Sequence, residues 1–372
     1  MAFGVFTEEQ VEFRKIARDF FETKSSEKEV RRLMATEDGF ERATWQQFAQ
    51  ELGAVGIAIP EEYGGQGFTW AELGIILEEA GRTLFGGPLL STVVLAATAL
   101  LESGDEAAKQ KYLPGIAAGE TVATVALTEE SGKWDESGIT TPATKSGDAW
   151  TISGAKHFVL DGATADLLIV PARTEAGVSL FAVDGTAAGV TRTPSITLDQ
   201  TRKLAVVTLD GAPAKLIGQD GAGWEILQRV YDVAATALAL EQAGGAQAAL
   251  DMSVAYLKAR VQFGQQIGAF QALKHMAADV LIEVESAKSA AYYALDALVE
   301  GSEEFPLAAS LAKAYCSEAY VTAAHQNIQF HGGMGFTWEV PAHLYYKRAR
   351  SSEVLFGDAD YHRSAMATRM GI

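Results

Sequence analysis

Two changes in hydrophobic periodicity divide this chain, and they constrain its fold more than any single motif. From Glu8 to Phe21 the apolar residues Val11, Phe13, Ile16, Ala17, Phe20 and Phe21 recur at helical spacing among charges. Thr7, with Gln10 three residues on, predicts a capping box at the start of this helix. Further helices are expected over about 44–52 (stopping at Gly53), 70–80, 93–101 and 105–113, the last ended by Pro114-Gly115. Ile59 to Gly67 is rich in turn residues and reads as a loop.

At about Thr121 the texture changes. Val122, Val125, Leu127, Trp150, Ile152, Val178, Phe181, Val183 and Val190, with the runs 167–170 and 206–209, form short β-prone stretches separated by Gly, Asp, Pro and Thr. Such spacing predicts an antiparallel barrel or sandwich, ending near 218–223. From Trp224 the chain turns helical again, Ala-rich and broken only near 264–268, 301–306 and 332–335, which suggests a bundle. The expected class is therefore α+β in three domains: an N-terminal helical domain over 1–118, a β domain over 119–221, and a C-terminal four-helix domain over 222–372.

Charge and motif content exclude several functions. Lys and Arg number 30 against 48 Asp and Glu, a net charge of −18, which repels a polyphosphate backbone and argues against nucleic-acid binding. The uncharged stretch Thr83–Leu101 contains Gly86, Gly87, Pro88, Ser91, Thr92 and Thr98, and reads as a loop and a buried helix rather than a membrane span. Acids stand near the start where a signal peptide has basic residues and then an apolar run, so a cytoplasmic protein is expected. Cys316 is the single cysteine and lies in a helical context with no adjacent histidine, unlike a nucleophile. The six histidines do not pair with cysteine at metal-ligand spacing, so no metal is expected. No Walker loop, no G-x-S-x-G and no G-x-G-x-x-G after a strand is present.

Two glycine-containing segments stand out. Gln329-Phe330-His331-Gly332-Gly333-Met334-Gly335-Phe336 interrupts an apolar helix, where residues without Cβ let a flat ligand or phosphate approach the backbone. A plain inter-helix turn explains the glycines equally well. Arg260-Val261-Gln262-Phe263-Gly264 ends another helix, where the arginine can neutralise the last carbonyls or reach a phosphate.

These segments, in order with Pro60-Glu61-Glu62-Tyr63-Gly64-Gly65, Leu77-Glu78-Glu79-Ala80-Gly81-Arg82, Leu127-Thr128-Glu129, Ile152-Ser153-Gly154-Ala155-Lys156-His157-Phe158 and Gly221-Ala222-Gly223-Trp224, resemble the acyl-CoA dehydrogenases over nearly the whole chain. The resemblance implies an FAD enzyme, usually tetrameric, acting on an acyl-CoA thioester. It implies that Leu127 and Thr128 lie beside the isoalloxazine, that Phe158 is the aromatic packed near it, and that Leu160 falls where a Thr commonly touches the ring. It further implies that Arg260, Gln262, Phe263, Gln329, Gly332 and Gly333 reach the pyrophosphate and adenosine of a neighbouring subunit's FAD.

The chain departs from the family pattern in informative places. The flavin loop, usually Glu-x-x-Ala-Gly-Ser-Asp, reads Glu129-Glu130-Ser131-Gly132-Lys133-Trp134-Asp135, with Trp134 in place of a small hydroxyl. The Asp-x-x-Arg beside the CoA adenine reads Asp232-Val233-Ala234-Ala235, without the arginine. The usual catalytic Glu position is Phe356, and the alternative one, on the first helix of the C-terminal domain, is Ala234. Glu241 is the remaining candidate base. It lies 241 − 234 = 7 residues further on, which is about 700° of helix and about 10 Å along the axis. Its neighbours are alanines, leucines and glycines, so burial is expected, and either a catalytic role or a pairing with Arg or Lys across the bundle follows. Asp358 and Glu353 are outside candidates, and the Phe356 backbone N–H remains able to donate to a thioester carbonyl.

The leading expectation is thus FAD-dependent α,β-dehydrogenation of an acyl-CoA. The small residues around Ala234 and Ala235 point to a bulky thioester such as a steroid side chain. Electron-transfer flavoprotein is a candidate acceptor, and a homotetramer or an α2β2 heterotetramer the expected assembly. The alternatives are a non-catalytic subunit that completes a partner's FAD site, and a flavin oxidase or monooxygenase.

Overall fold

The computed structural model describes residues 6–372, so the first five residues of the expected N-terminal domain lie outside the described residues. Helix α1 (Glu8–Lys24) begins with the expected capping box: Gln10 N donates to Thr7 Oγ1 at 3.2 Å, and Thr7 N donates to Gln10 Oε1 at 3.1 Å. Helix α2 (Glu27–Met34) lies outside the expected helices; Val30, Leu33 and Met34 share one face, but over eight residues that pattern spans barely two turns. Helices α3 (Arg42–Glu51) and α4 (Trp70–Arg82) follow. The uncharged stretch is a buried π-helical segment, Leu89–Ala96, continued by α5 (Ala97–Glu102). Helix α6 (Glu106–Ala117) runs through Pro114 instead of stopping before it, because in the last turn the missing N–H costs a single bond.

Compact packing groups the chain differently from its linear order. One unit comprises the segment up to Arg31, Trp70–Phe85 and Ala235–Ile372; the other comprises Arg32–Thr69 and Gly86–Ala234.

The second unit is built on a sheet of seven strands among the described residues: β1 (Ala123–Val125), β2 (Ala143–Ser146), β3 (Ala149–Leu160), β4 (Leu167–Thr174), β5 (Gly177–Asp184), β6 (Val190–Pro194) and β7 (Leu204–Ile217). Their order is β1-β4-β5-β7-β3-β2, with β6 paired to β7. The pairing is antiparallel as expected, with one exception: β1 runs parallel to β4, Ala123 opposite Leu167. The 14-residue β7 pairs with β3 and β6 and, through its last residues, with the middle of β5, so one strand joins all three. Strand β3 carries two register shifts, the second between Lys156 and Val159.

In the first unit, α7 (Gly223–Ala259, from residue 235), α8 (Gln271–Val299), α9 (Phe305–His331), α10 (Ala342–Val354) and α11 (Ala359–Arg369) pack with α1 and α4. Helices α4 and α7 touch backbone to backbone. A Cβ at Gly81 would lie 2.0 Å from the Glu241 carbonyl oxygen, and one at Gly244 1.9 Å from that of Glu78. Arg14 and Arg18 of α1 clamp the buried Glu78 and Glu79 of α4, at 2.5 and 2.7 Å. After α7 comes a tight hairpin, β8 (Val261–Gln262) and β9 (Gln265–Gln266), whose turn residues Phe263 and Gly264 both have positive φ, +54° and +79°. That is the geometry of a two-residue primed turn.

Candidate active site

Strand β3 and the segment after β1 carry one group of the expected site residues. The Thr128 hydroxyl donates to the His157 carbonyl at 2.6 Å, and His157 N–H donates back to the Thr128 carbonyl at 2.9 Å. The hydroxyl proton is therefore committed, and the oxygen keeps lone pairs for accepting. Phe158 stands at the β3 bulge with φ +54° and is 56 % exposed. A non-glycine residue in that region is held there by its surroundings. Leu127 and Leu160, in contrast, are buried.

Immediately beside this pair lies an interaction the sequence reading missed. Lys156 is fully buried, and its Nζ donates to Glu129 Oε1 at 2.8 Å. Glu129 also accepts from Thr140 N, Thr140 Oγ1 and Thr141 N. Burial by itself would raise the Glu129 carboxyl; the Lys156 charge and these hydrogen bonds override it and hold the group at about 2. Burial lowers Lys156 to about 8, against the pull of Glu129. A signal was present: Trp150, Ile152 and Lys156 share the inward parity of β3, and an inward lysine requires a buried partner.

Trp134, standing at the family's small-hydroxyl position, packs edge-on against Tyr231 at 5.9 Å between ring centroids, and Tyr231 in turn meets Trp224 at 6.0 Å. Ala234 and Ala235 are buried, so the missing arginine leaves no polar replacement at its own position.

In the first unit, Arg260, Gln262, Phe263, Gln329, Gly332 and Gly333 are all exposed. Tyr256 of α7 stacks on His331 of α9 at 4.0 Å. This brings the helix end just before Arg260 against the helix end just before Gly332. Arg260 makes no side-chain hydrogen bond or ion pair among the described residues, and Gln262 Nε2 donates locally to the Val261 carbonyl at 2.8 Å. Gly332 adopts φ +58°, and a Cβ at Gly332 or Gly333 would meet nothing within 4 Å. A guanidinium without a partner and an open glycine backbone suit a pyrophosphate-bearing ligand, so these residues fit the FAD that the resemblance implies. His331, buried with Nδ1 2.8 Å from the Asn327 carbonyl, is a structural histidine, and no cluster able to hold a metal occurs among the described residues.

The candidate bases each have a partner. Glu241 Oε1 lies 3.0 Å from Arg348 Nη1 of α10, both side chains buried. Glu353 pairs with Arg350 at 2.6 Å, and Asp358 caps α11 by accepting from Tyr361 N at 2.8 Å. Phe356 is buried at φ +61°, in a loop held from both sides. Lys313, fully buried, donates to the carbonyls of Glu353 at 3.1 Å and Gly357 at 2.9 Å. His362 Nε2 lies 3.0 Å from the Phe356 carbonyl. Burial first, then the Lys313 charge, press His362 down to about 3, so the ring is neutral and carries its proton on Nε2 toward that carbonyl.

Comparison with known proteins agrees with this architecture. Residues 7–120 match the acyl-CoA dehydrogenase N-terminal domain, 124–207 the middle domain and 221–371 the C-terminal domain. The acyl-CoA dehydrogenase IpdE2 of Mycolicibacterium smegmatis is 34% identical over 94% of this chain and 95% of its own length. Among solved structures, a variant of the Tcur3481-Tcur3483 steroid ACAD superposes with a TM-score of 0.88 at 32% identity, covering 98% of each chain. Butyryl-CoA dehydrogenase from Megasphaera elsdenii superposes with a TM-score of 0.92 at 27% identity, covering 99% of each. The chain belongs to the acyl-CoA dehydrogenase family, a class of oxidoreductases. No helix among the described residues is long and apolar enough to cross a membrane.

Proposed function

We propose that this chain takes part in FAD-dependent α,β-dehydrogenation of a bulky acyl-CoA thioester, in the cytoplasm, as one subunit of a homotetramer or an α2β2 assembly. The observation that carries the reading is the exposed set on the first unit: partnerless Arg260 beside the open backbone of Gly332 and Gly333, a cradle suited to a neighbour's dinucleotide. A steroid-like acyl group is supported by the 32% identity to the steroid ACAD and by small, buried Ala234 and Ala235.

FAD, when bound, supplies the hydride acceptor; electron-transfer flavoprotein is the proposed oxidant of the reduced enzyme. Leu127, Thr128, Phe158 and Leu160 would border the ring, Thr128 through its oxygen lone pairs. Arg260, Gln262, Phe263, Gln329, Gly332 and Gly333 would hold the phosphate half. The Phe356 N–H, in a loop fixed by Lys313 and His362, would donate to the thioester carbonyl as negative charge grows on its oxygen. Glu241 would take the α-proton, which requires its carboxylate to reach the substrate while Oε1 is paired with Arg348.

That requirement favours a second reading: this chain completes the flavin site while a partner subunit brings the base. Glu241→Gln separates the two. Under anaerobic conditions, a base role predicts that bleaching of the flavin by acyl-CoA falls by about 10²–10⁴-fold per flavin-loaded chain. An unchanged rate per loaded chain removes Glu241 from the chemistry and leaves the second reading. Formation of hydrogen peroxide in air at the turnover rate would instead indicate an oxidase.

A further inference from the structure

We infer that Lys156 and Glu129 are positioning residues for the flavin: a buried pair that sets the spacing of the two segments presenting Thr128 and Phe158. The inference rests on the FAD-dependent reading above and assigns it a supporting layer.

The pair occupies the rung next to the site. Thr128 and His157 are joined by two reciprocal hydrogen bonds, and the residues one step inward on each segment are Glu129 and Lys156. One step outward on β3 is Phe158, at the register shift, in a backbone region that a phenylalanine does not choose unaided. Something must over-determine the bulge. The Glu129 carboxylate does so by accepting from four donors: Lys156 Nζ at 2.8 Å, Thr140 N and Thr141 N at 3.0 Å each, and the Thr140 hydroxyl. Three separate stretches of chain therefore converge on one side chain. Apolar contacts tolerate sliding, whereas a fully bonded buried pair admits one arrangement.

Stability alone does not account for the pair. Apolar residues of similar volume commonly replace a buried ion pair without loss. What they cannot reproduce is the fixed distance between the two strand segments. Neither residue is placed against the flavin itself, so both act through Thr128 and Phe158.

The test uses the full chain in its native assembly, with Lys156→Met/Glu129→Gln as a charge-free pair and Thr140→Val as a mild variant. Thr140 is exposed, so its replacement removes one anchor from Glu129 without opening the core. FAD retention on dilution, flavin midpoint potential and melting temperature are measured together. The double variant is expected to melt close to the parent but to bind FAD about tenfold more weakly or worse, with a shifted potential. Thr140→Val should show a smaller loss of the same kind at an unchanged melting temperature. A folded double variant with parental FAD affinity and potential overturns the inference. Should the double variant not fold, parental affinity and potential in Thr140→Val overturn it. A parent that takes up no FAD, alone or with its assembly partners, fails the FAD-dependent reading itself, a distinct result.

Discussion

Glu241 of α7 and Arg348 of α10 form a buried ion pair, Oε1 to Nη1 at 3.0 Å, in the helical unit where the chain's candidate base was expected. Arg348 thus holds the one carboxylate that helical phase relates to the Ala234 position. Removing one partner of a buried pair leaves the other uncompensated, at a cost of about 3–5 kcal/mol, whereas replacing both is often neutral. Arg348→Met should therefore unfold at a clearly lower denaturant midpoint, and Arg348→Met/Glu241→Leu should recover most of the loss. Denaturant melts of the two variants decide it; equal loss in both would show that the side chains matter by volume and not as a pair.

The glycines of the helical unit serve two different purposes, and alanine substitution should separate them. At Gly244 the added Cβ would run into the Glu78 carbonyl, so Gly244→Ala must push α4 and α7 apart, at a cost of about 1–3 kcal/mol or more. At Gly333 the added Cβ meets nothing, and stability should hold. Gly333→Ala should instead weaken FAD retention, as should Arg260→Ala, which forfeits a charge-assisted bond worth about 1.5–3 kcal/mol. Melting temperature and FAD content, measured on all three, check the division. FAD retention at the parental level in Arg260→Ala would exclude that arginine from the phosphate site.

Acid stability should report on Glu129. Its folded value of about 2 lies below the ordinary 4.5, so the unfolded chain binds the proton more readily. The stabilisation it contributes is present above about 4.5 and is lost as pH falls toward about 2. Melting temperatures between pH 5 and 2 should fall less steeply in Glu129→Gln than in the parent, once both are referred to their values at neutral pH. Parallel slopes would mean that other carboxylates carry the acid transition.

Much of this organisation was legible along the chain, for reasons that particular residues illustrate. The α1 capping box depends on two side chains three residues apart, Thr7 and Gln10, and such local chemistry survives in one dimension. The switch from helical to strand periodicity near Thr121 is equally local. Helix α2 escaped because its apolar face, Val30, Leu33 and Met34, is confined to eight residues and repeats only once. The parallel β1–β4 pair escaped because strand direction depends on a partner more than forty positions away: Ala123 meets Leu167.

The sequence by itself determined the order of helical and strand-forming blocks and the family, because periodicity, capping and turn chemistry act between residues a few positions apart. It also determined which usual side chains are missing, since Phe356 and Ala234 can be read directly. Tertiary structure alone decided who pairs with whom. Glu241 faces Arg348 across 107 residues, Glu129 meets Lys156 across 27, and Lys313 reaches the Gly357 carbonyl across 44. A buried charge must find its partner wherever the packed chain brings one, and spacing along the sequence carries no record of that distance.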